Sequence, residues 1–304
     1  MRHLLLLLPL FIACTPFVKT RNDVRHVVTP HGQQVDDGVK KRIVILPFED
    51  QDTSHPESVK TDARNFLIRE LMRTNRVVVV DNNDLPQDLE KYKKDGSYDL
   101  AAIANMARGL DLAAFIQGNI VELQAMKLGD QVGVFRNVKA KMQATVELKV
   151  TSAKNATLLV EERRTAIAEA DVQVVGKVDM TARALEQEPE LSRKAIEQAL
   201  GMVMVSVLRS MDKISWEGRV ALVKGDRIYI NAGKISGIQL GDILRVSDKG
   251  DEIFDPENGR LIGLAPGRTK GTIEVINYFG KDGAISIIHS GGGFLENDKV
   301  ELYY

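Results

Sequence analysis

A single cysteine, Cys14, is all the thiol chemistry in this chain of 304 residues. No internal disulfide can staple it, so its folded parts must be held by packing. Neither sign of charge dominates. With 41 Lys and Arg against 42 Asp and Glu, there is no basic field of the kind that drives nucleic-acid binding through counterion release. Past Cys14 no apolar run approaches the ~20 residues of a membrane-spanning helix, so any insertion there would have to use β-strands. Motifs that carry chemistry are just as scarce. The five histidines, His3, His26, His31, His55 and His289, show no metal-ligand spacing. His289 and Ser290 precede three glycines but form no nucleophile elbow. The glycine-rich stretch 263–271 lacks the Gly-Lys-Ser/Thr of a phosphate loop. Asp248, Asp251, Glu252, Asp255 and Glu257 cluster without the register of an EF-hand. No catalytic, cofactor-binding or metal-binding residue is therefore expected, and the chain reads as non-enzymatic.

What is present begins at the first residue. Arg2 supplies a positive start, Leu4 to Ile12 a short apolar stretch, and Ala13 a small residue before the cleavage point. This is the layout of an export signal over residues 1–13. Phe11-Ile12-Ala13-Cys14 resembles a bacterial lipobox, with Phe11 where Leu is usual, and the resemblance implies that Cys14 takes a lipid after cleavage. Thr15, rather than Asp, follows, which in that pattern favours the outer membrane. Residues 14–40 then read as a lipidated tether: polar, broken by Pro16, Pro30, Gly32 and Gly38, and without periodicity. As a flexible coil its ends would average about 28 Å apart.

Residues 41–213 read as an α/β domain with a mixed sheet. Ile43 to Phe48 is a short apolar run suited to a buried strand. Ser54 and Glu57 have capping-box spacing, and Val59, Ala63, Phe66, Leu67 and Leu71 recur as one helical stripe. Arg76 to Asp81 is a second strand, expected to lie parallel to the first after this crossover helix. A short polar helix is expected from Asp84 to Tyr92. Asp99 is placed to cap a helix carrying Leu100, Ile103, Met106 and Leu110. Leu112 to Leu123 returns to the sheet. Ala140 to Val150 alternates cleanly, as a strand with one buried and one wet face does. A turn at Ser152–Asn155 leads to a partner strand, Thr157 to Ala168. Pro189 opens a final helix through Met211. Residues 214–304 change texture to short strands between glycine turns, with candidates at 216–223, 227–230, 243–247, 271–276, 284–289 and 299–302. Their spacing predicts a small all-β barrel.

The order of these elements, with Arg42 to Asp50, Val77 to Asp81, Ala114 to Glu122 and the hairpin around Asn155, resembles the periplasmic domain of curli-secretion (CsgG-type) lipoproteins. It is also similar to the N-terminal domain of TolB. Trp216 to Val220, Ile228 to Asp242, Asp255 to Gly263 and Lys270 to Val275 resemble the C-terminal SH3-like domain of the flagellar assembly protein FlgT. These resemblances imply a lipid-anchored outer-membrane protein on the periplasmic side, acting as a scaffold through protein contacts. A homo-oligomeric ring is one arrangement they imply. An alternative is a pore-forming secretion subunit, whose members insert two β-hairpins. Here the first slot, Gln124 to Lys139, is short for two membrane strands and carries Lys127, Asp130 and Arg136. The second, residues 169–188, has an alternating first arm but lacks an aromatic girdle.

Overall fold

The computed structural model describes residues 38–51, 55–94, 97–107, 110–128, 135–175, 189–259 and 261–303. Strand β1 (Lys41–Ile45) is flanked in parallel by β3 (Val77–Val79) and β6 (Leu112–Leu128). Helix α1 (Glu57–Arg73) makes the crossover from β1 to β3. Ile43, Val44 and Ile45 are all fully buried, because elements cover both faces of the sheet at this point. The sheet continues through two antiparallel strands, β7 (Phe135–Ser152) and β8 (Leu158–Val175), in the order β3-β1-β6-β7-β8. Short β2 (Glu49–Asp50) also pairs with β6.

On one face lie α1 and α3 (Pro189–Asp212). The alternation read in the sequence sends Met142, Ala144, Val146, Leu148 and Val150 into this core, where Ala195, Ala199, Val203 and Val207 of α3 join them. Small residues, Ala166 and Ala168 on β8, let the helix approach closely. The other face is wet along β7 and β8. There Thr145 faces Thr165 at 2.9 Å, Arg163 pairs with Glu147 at 3.0 Å and Lys149 with Glu161 at 2.8 Å. Near β1 that second face is covered by α2 (Leu100–Met106) and the turns before it, burying Phe115, Leu85, Leu89, Tyr98 and Ile103.

A separate core, Trp216, Val220, Ile228, Ile230, Leu244, Val246, Ile273 and Val275 among others, fills a closed barrel. Its strands are β9 (Gly218–Lys224), β10 (Arg227–Ile230), β11 (Ile243–Ser247), β14 (Thr269–Phe279), β15 (Gly283–Gly291) and β16 (Lys299–Leu302). They close in the order β10-β15-β14-β11-β16-β9. Closure leaves no free edge to pair with other chains.

Several expectations are corrected. Helix α1 is preceded by Pro56 and has no side-chain cap, and Ser54 lies outside the described residues. The polar helix after β3 is two separate 3-10 turns, Asn82–Asp84 and Leu89–Tyr92, capped by Asp81 and Asp88. The next segment pairs two short strands, β4 (Lys93–Lys94) and β5 (Ser97–Tyr98), antiparallel to each other. Strands β6 and β7 run on into 124–139, so that this slot extends the sheet, pairing as far as Leu128 with Lys139. Finally, the acidic stretch is no plain loop: β12 (Glu252–Phe254) and β13 (Leu261–Leu264) form a two-stranded ribbon off the barrel.

Candidate functional site: the seam between sheet and barrel

The described chain starts at the barrel before it reaches the sheet. The Lys40 amide donates to Ser236 O at 2.8 Å, and Val39 packs on the barrel core. Gly237, at φ +81, sits so close to Gly38 that a Cβ there would lie 2.6 Å from the Gly38 carbonyl, so only glycine fits.

Two residues on, at the start of β1, the Arg42 guanidinium reaches across. It donates to Asn231 O at 2.6 Å, to Leu110 O at 3.4 Å and to Asp282 Oδ2 at 3.0 Å. Asp282, in the turn between β14 and β15, also accepts from the Gly233 and Ser236 amides at 2.9 and 3.1 Å and from Ser236 Oγ at 2.5 Å. Beside it Asp111 pairs with Arg219 at 2.5 Å and accepts from the Asn231 side-chain amide. The Asn231 oxygen in turn accepts from the Arg219 amide at 2.8 Å. More exposed pairs, Lys281 with Asp84 at 3.2 Å and Lys154 with Glu217 at 2.8 Å, flank this centre.

The two aspartates respond to burial differently. Burial raises the Asp111 carboxyl above its ordinary value, outweighing the Asn231 hydrogen bond and the charges of Arg219 and Arg42. Burial also works against the charge on Asp282, but the Ser236 donors and Arg42 outweigh it and hold this carboxyl below its usual range. A network this well supplied with partners braces the sheet against the barrel.

Elsewhere the sequence candidates are dispersed. Asp248 Oδ1 accepts from the Gly250 and Arg268 amides at 3.1 and 2.9 Å, and Asp255 Oδ1 from the Glu257 amide at 2.8 Å. These carboxylates shape turns at the root and tip of the β12–β13 ribbon. The root forms an open polar depression of about 390 Å³ lined by Asp248, Lys249, Asp251 and Arg268. Among the described residues no group of three His, Cys, Asp or Glu side chains is placed to hold a metal ion. Asp242 and Asp298 accept from nearby amides, of Gln239 at 2.8 Å and Leu295 at 2.7 Å, and so shape their turns. His289 meets Thr272 at 2.9 Å, on the barrel wall. His55 pairs with Asp50 at 2.8 Å. Cys14, with the whole of 1–37, lies outside the described residues. Sequence reasoning missed the seam altogether. Its members are 42, 111, 219, 231 and 282, and no local motif links positions so far apart.

No protein-family model matches the chain, and no curated protein matches it. Weak likenesses occur among solved structures. A hypothetical protein of Chlamydia trachomatis is 13% identical, with a TM-score of 0.34, over 57% of this chain and 98% of that one. A lipoprotein of Neisseria meningitidis is 12% identical, with a TM-score of 0.26, over 57% and 98%. The dodecameric PelC of Paraburkholderia phytofirmans is 13% identical, with a TM-score of 0.27, over 53% and 86%.

Proposed function

We propose that the chain is a lipid-anchored protein of the cell envelope, held through Cys14 at the periplasmic face of the outer membrane and acting as a non-enzymatic scaffold. The observation that carries this is the position of the only cysteine, directly behind an export-type segment and ahead of a polar tether. The finer reading, drawn from the resemblances to curli-secretion and flagellar assembly proteins, is a role in assembling or secreting an envelope structure. The seam suits such a role because a scaffold must present its two surfaces at a fixed angle. The β12–β13 ribbon suits it too, exposing Ile253, Phe254 and Ile262 away from either core.

The test has two parts. Labelled palmitate should enter the wild-type chain, and Cys14→Ser should abolish labelling and release the protein from the membrane fraction. Negative-stain images of the native lipidated protein in mild detergent then distinguish a ring from a monomer awaiting its partner. Unchanged membrane association of Cys14→Ser would refute the anchor.

A pore-forming subunit is the second reading, favoured by one observation. Strands β6, β7 and β8 run on to Leu128, Phe135 and Val175, into both stretches where a channel would insert its hairpins. Conductance steps in a planar bilayer would favour it over the scaffold.

A further inference from the structure

The place where the chain leaves the described body is fixed. Gly38 lies against Gly237, in the loop joining β10 to β11. That loop and the turn 280–282 stand at the same end of the barrel, where β10 and β14 finish and β15 begins. Asp282 ties the two together through Gly233 and Ser236. Gly233 and Gly283 are back to back: a Cβ on Gly233 would lie 2.6 Å from the Gly283 carbonyl, and the Phe279 ring lies over Gly283. Tyr229 meets Phe279 edge to face at 5.4 Å, and the Tyr278 hydroxyl donates to Ile238 O at 2.8 Å.

This well-braced rim nevertheless shows apolar side chains to solvent. Ile235 is 43% exposed, Leu240 56% and Phe279 40%. Two lysines belong to the same two segments. Lys281 pairs with Asp84, while Lys234 has no acidic partner among the described residues. Braced segments that expose apolar side chains beside lysines match the interfacial zone of a bilayer, where apolar side chains reach the acyl boundary and lysines stay among phosphates.

We propose that this rim is the face the protein lays on the phospholipid surface carrying its anchor, with Ile235, Leu240 and Phe279 entering the headgroup region. The inference rests on lipid attachment at Cys14 as proposed above. The tether supplies the second argument. Only residues 15–37 separate the lipid from Gly38, a length that reaches at most about 83 Å when fully extended. The rim is therefore held close to the membrane at an effective concentration on the order of millimolar, where a patch too weak to bind vesicles by itself docks. The β12–β13 ribbon leaves from the opposite end of the barrel, after β11 and before β14.

The test uses the full lipidated chain in vesicles of phosphatidylethanolamine and phosphatidylglycerol, 3:1. Because lipid occupies the only native thiol, Ile235→Cys gives one site for a polarity-sensitive fluorophore. Glu190→Cys is the control. It lies 21 residues up α3 from Met211, about 32 Å along the helix, and the Met211 carbonyl accepts from Lys41 close to the seam. Spin-labelled acyl chains should quench the label at 235 at least twofold more than the label at 190, and adding Leu240→Asp should remove that difference. Equal quenching at both sites, or none at 235 in protein that floats with the vesicles, overturns the proposal while leaving the anchor intact. A label at 235 equally shielded with and without vesicles also overturns it, since a second copy then covers the rim. Failure to float, with a titratable Cys14 thiol, overturns the anchor and the proposal together.

Discussion

Removing the Arg42 guanidinium tests whether the seam holds sheet and barrel as one unit. Arg42 and Asp282 side chains are 17% and 12% exposed, so the pair is largely desolvated. Breaking a buried pair from one side costs about 3–5 kcal/mol. Here Asp282 keeps three other donors, which softens the loss, and Arg42→Ala should cost ~2–3 kcal/mol. Asp282→Ala leaves Arg42 with carbonyl partners only and two backbone amides without their acceptor, and should cost more, ~3–5 kcal/mol. Because both variants delete one shared interaction, the double variant should fall short of the sum by ~1.5 kcal/mol. The assay is urea unfolding followed by fluorescence of Trp216, the only tryptophan and a buried member of the barrel core, with far-UV circular dichroism reporting the whole chain. In Arg42→Ala the two signals should separate as barrel and sheet lose their coupling. Costs that add to within ~0.5 kcal/mol, with coincident transitions throughout, would refute the argument.

Other outcomes follow from the same geometry. Gly237→Ala should destabilise by more than ~1 kcal/mol, since φ is +81 and a Cβ would lie 2.6 Å from the Gly38 carbonyl; thermal unfolding checks this. Ile116→Ala, fully buried on β6, should cost ~2–5 kcal/mol by leaving a cavity, read by urea titration. Asp282 is held low, so its stabilisation is complete above the ordinary carboxylate range of about 4 and is lost as pH falls through its depressed value. The urea midpoint of wild type should therefore drop below about pH 4, and Asp282→Asn should drop less. Asp111 is held high, so its contribution is present below about pH 4 and lost as pH rises through its raised value. Asp111→Asn should accordingly lose less stability between pH 4 and 7 than wild type, as followed by the same titration.

Elements whose burial differs sharply from one side to the other were legible in the sequence. Strand β7 announced itself because α3 covers one face and water the other, and Asp99 because its carboxylate does cap α2, accepting from the Ala102 amide at 3.0 Å. The barrel strands were found by the glycine turns between them. The β12–β13 ribbon was hidden because Ile253, Phe254 and Ile262 are all exposed, so no alternation marks it. The start of α1 differs from the expected capping box since its N-cap is Pro56, whose side chain has no oxygen to accept from the first-turn amides. The seam was illegible for a different reason. Its energy comes from desolvated charges brought together by the tertiary fold, and a lone Arg42 or Asp282 in the sequence looks like any solvated charge.

Arg42 and Asp282 are 240 positions apart, which bears on the order in which the molecule comes together. The local sheet and the barrel can each form from neighbouring segments, but the first strand is not locked in place until almost the last has been made. The first half can therefore gather around its own core while the two halves are still unjoined. The final β-hairpin then acts as a latch, so that a truncated product lacking it would keep its sheet yet never lock it against a closed barrel.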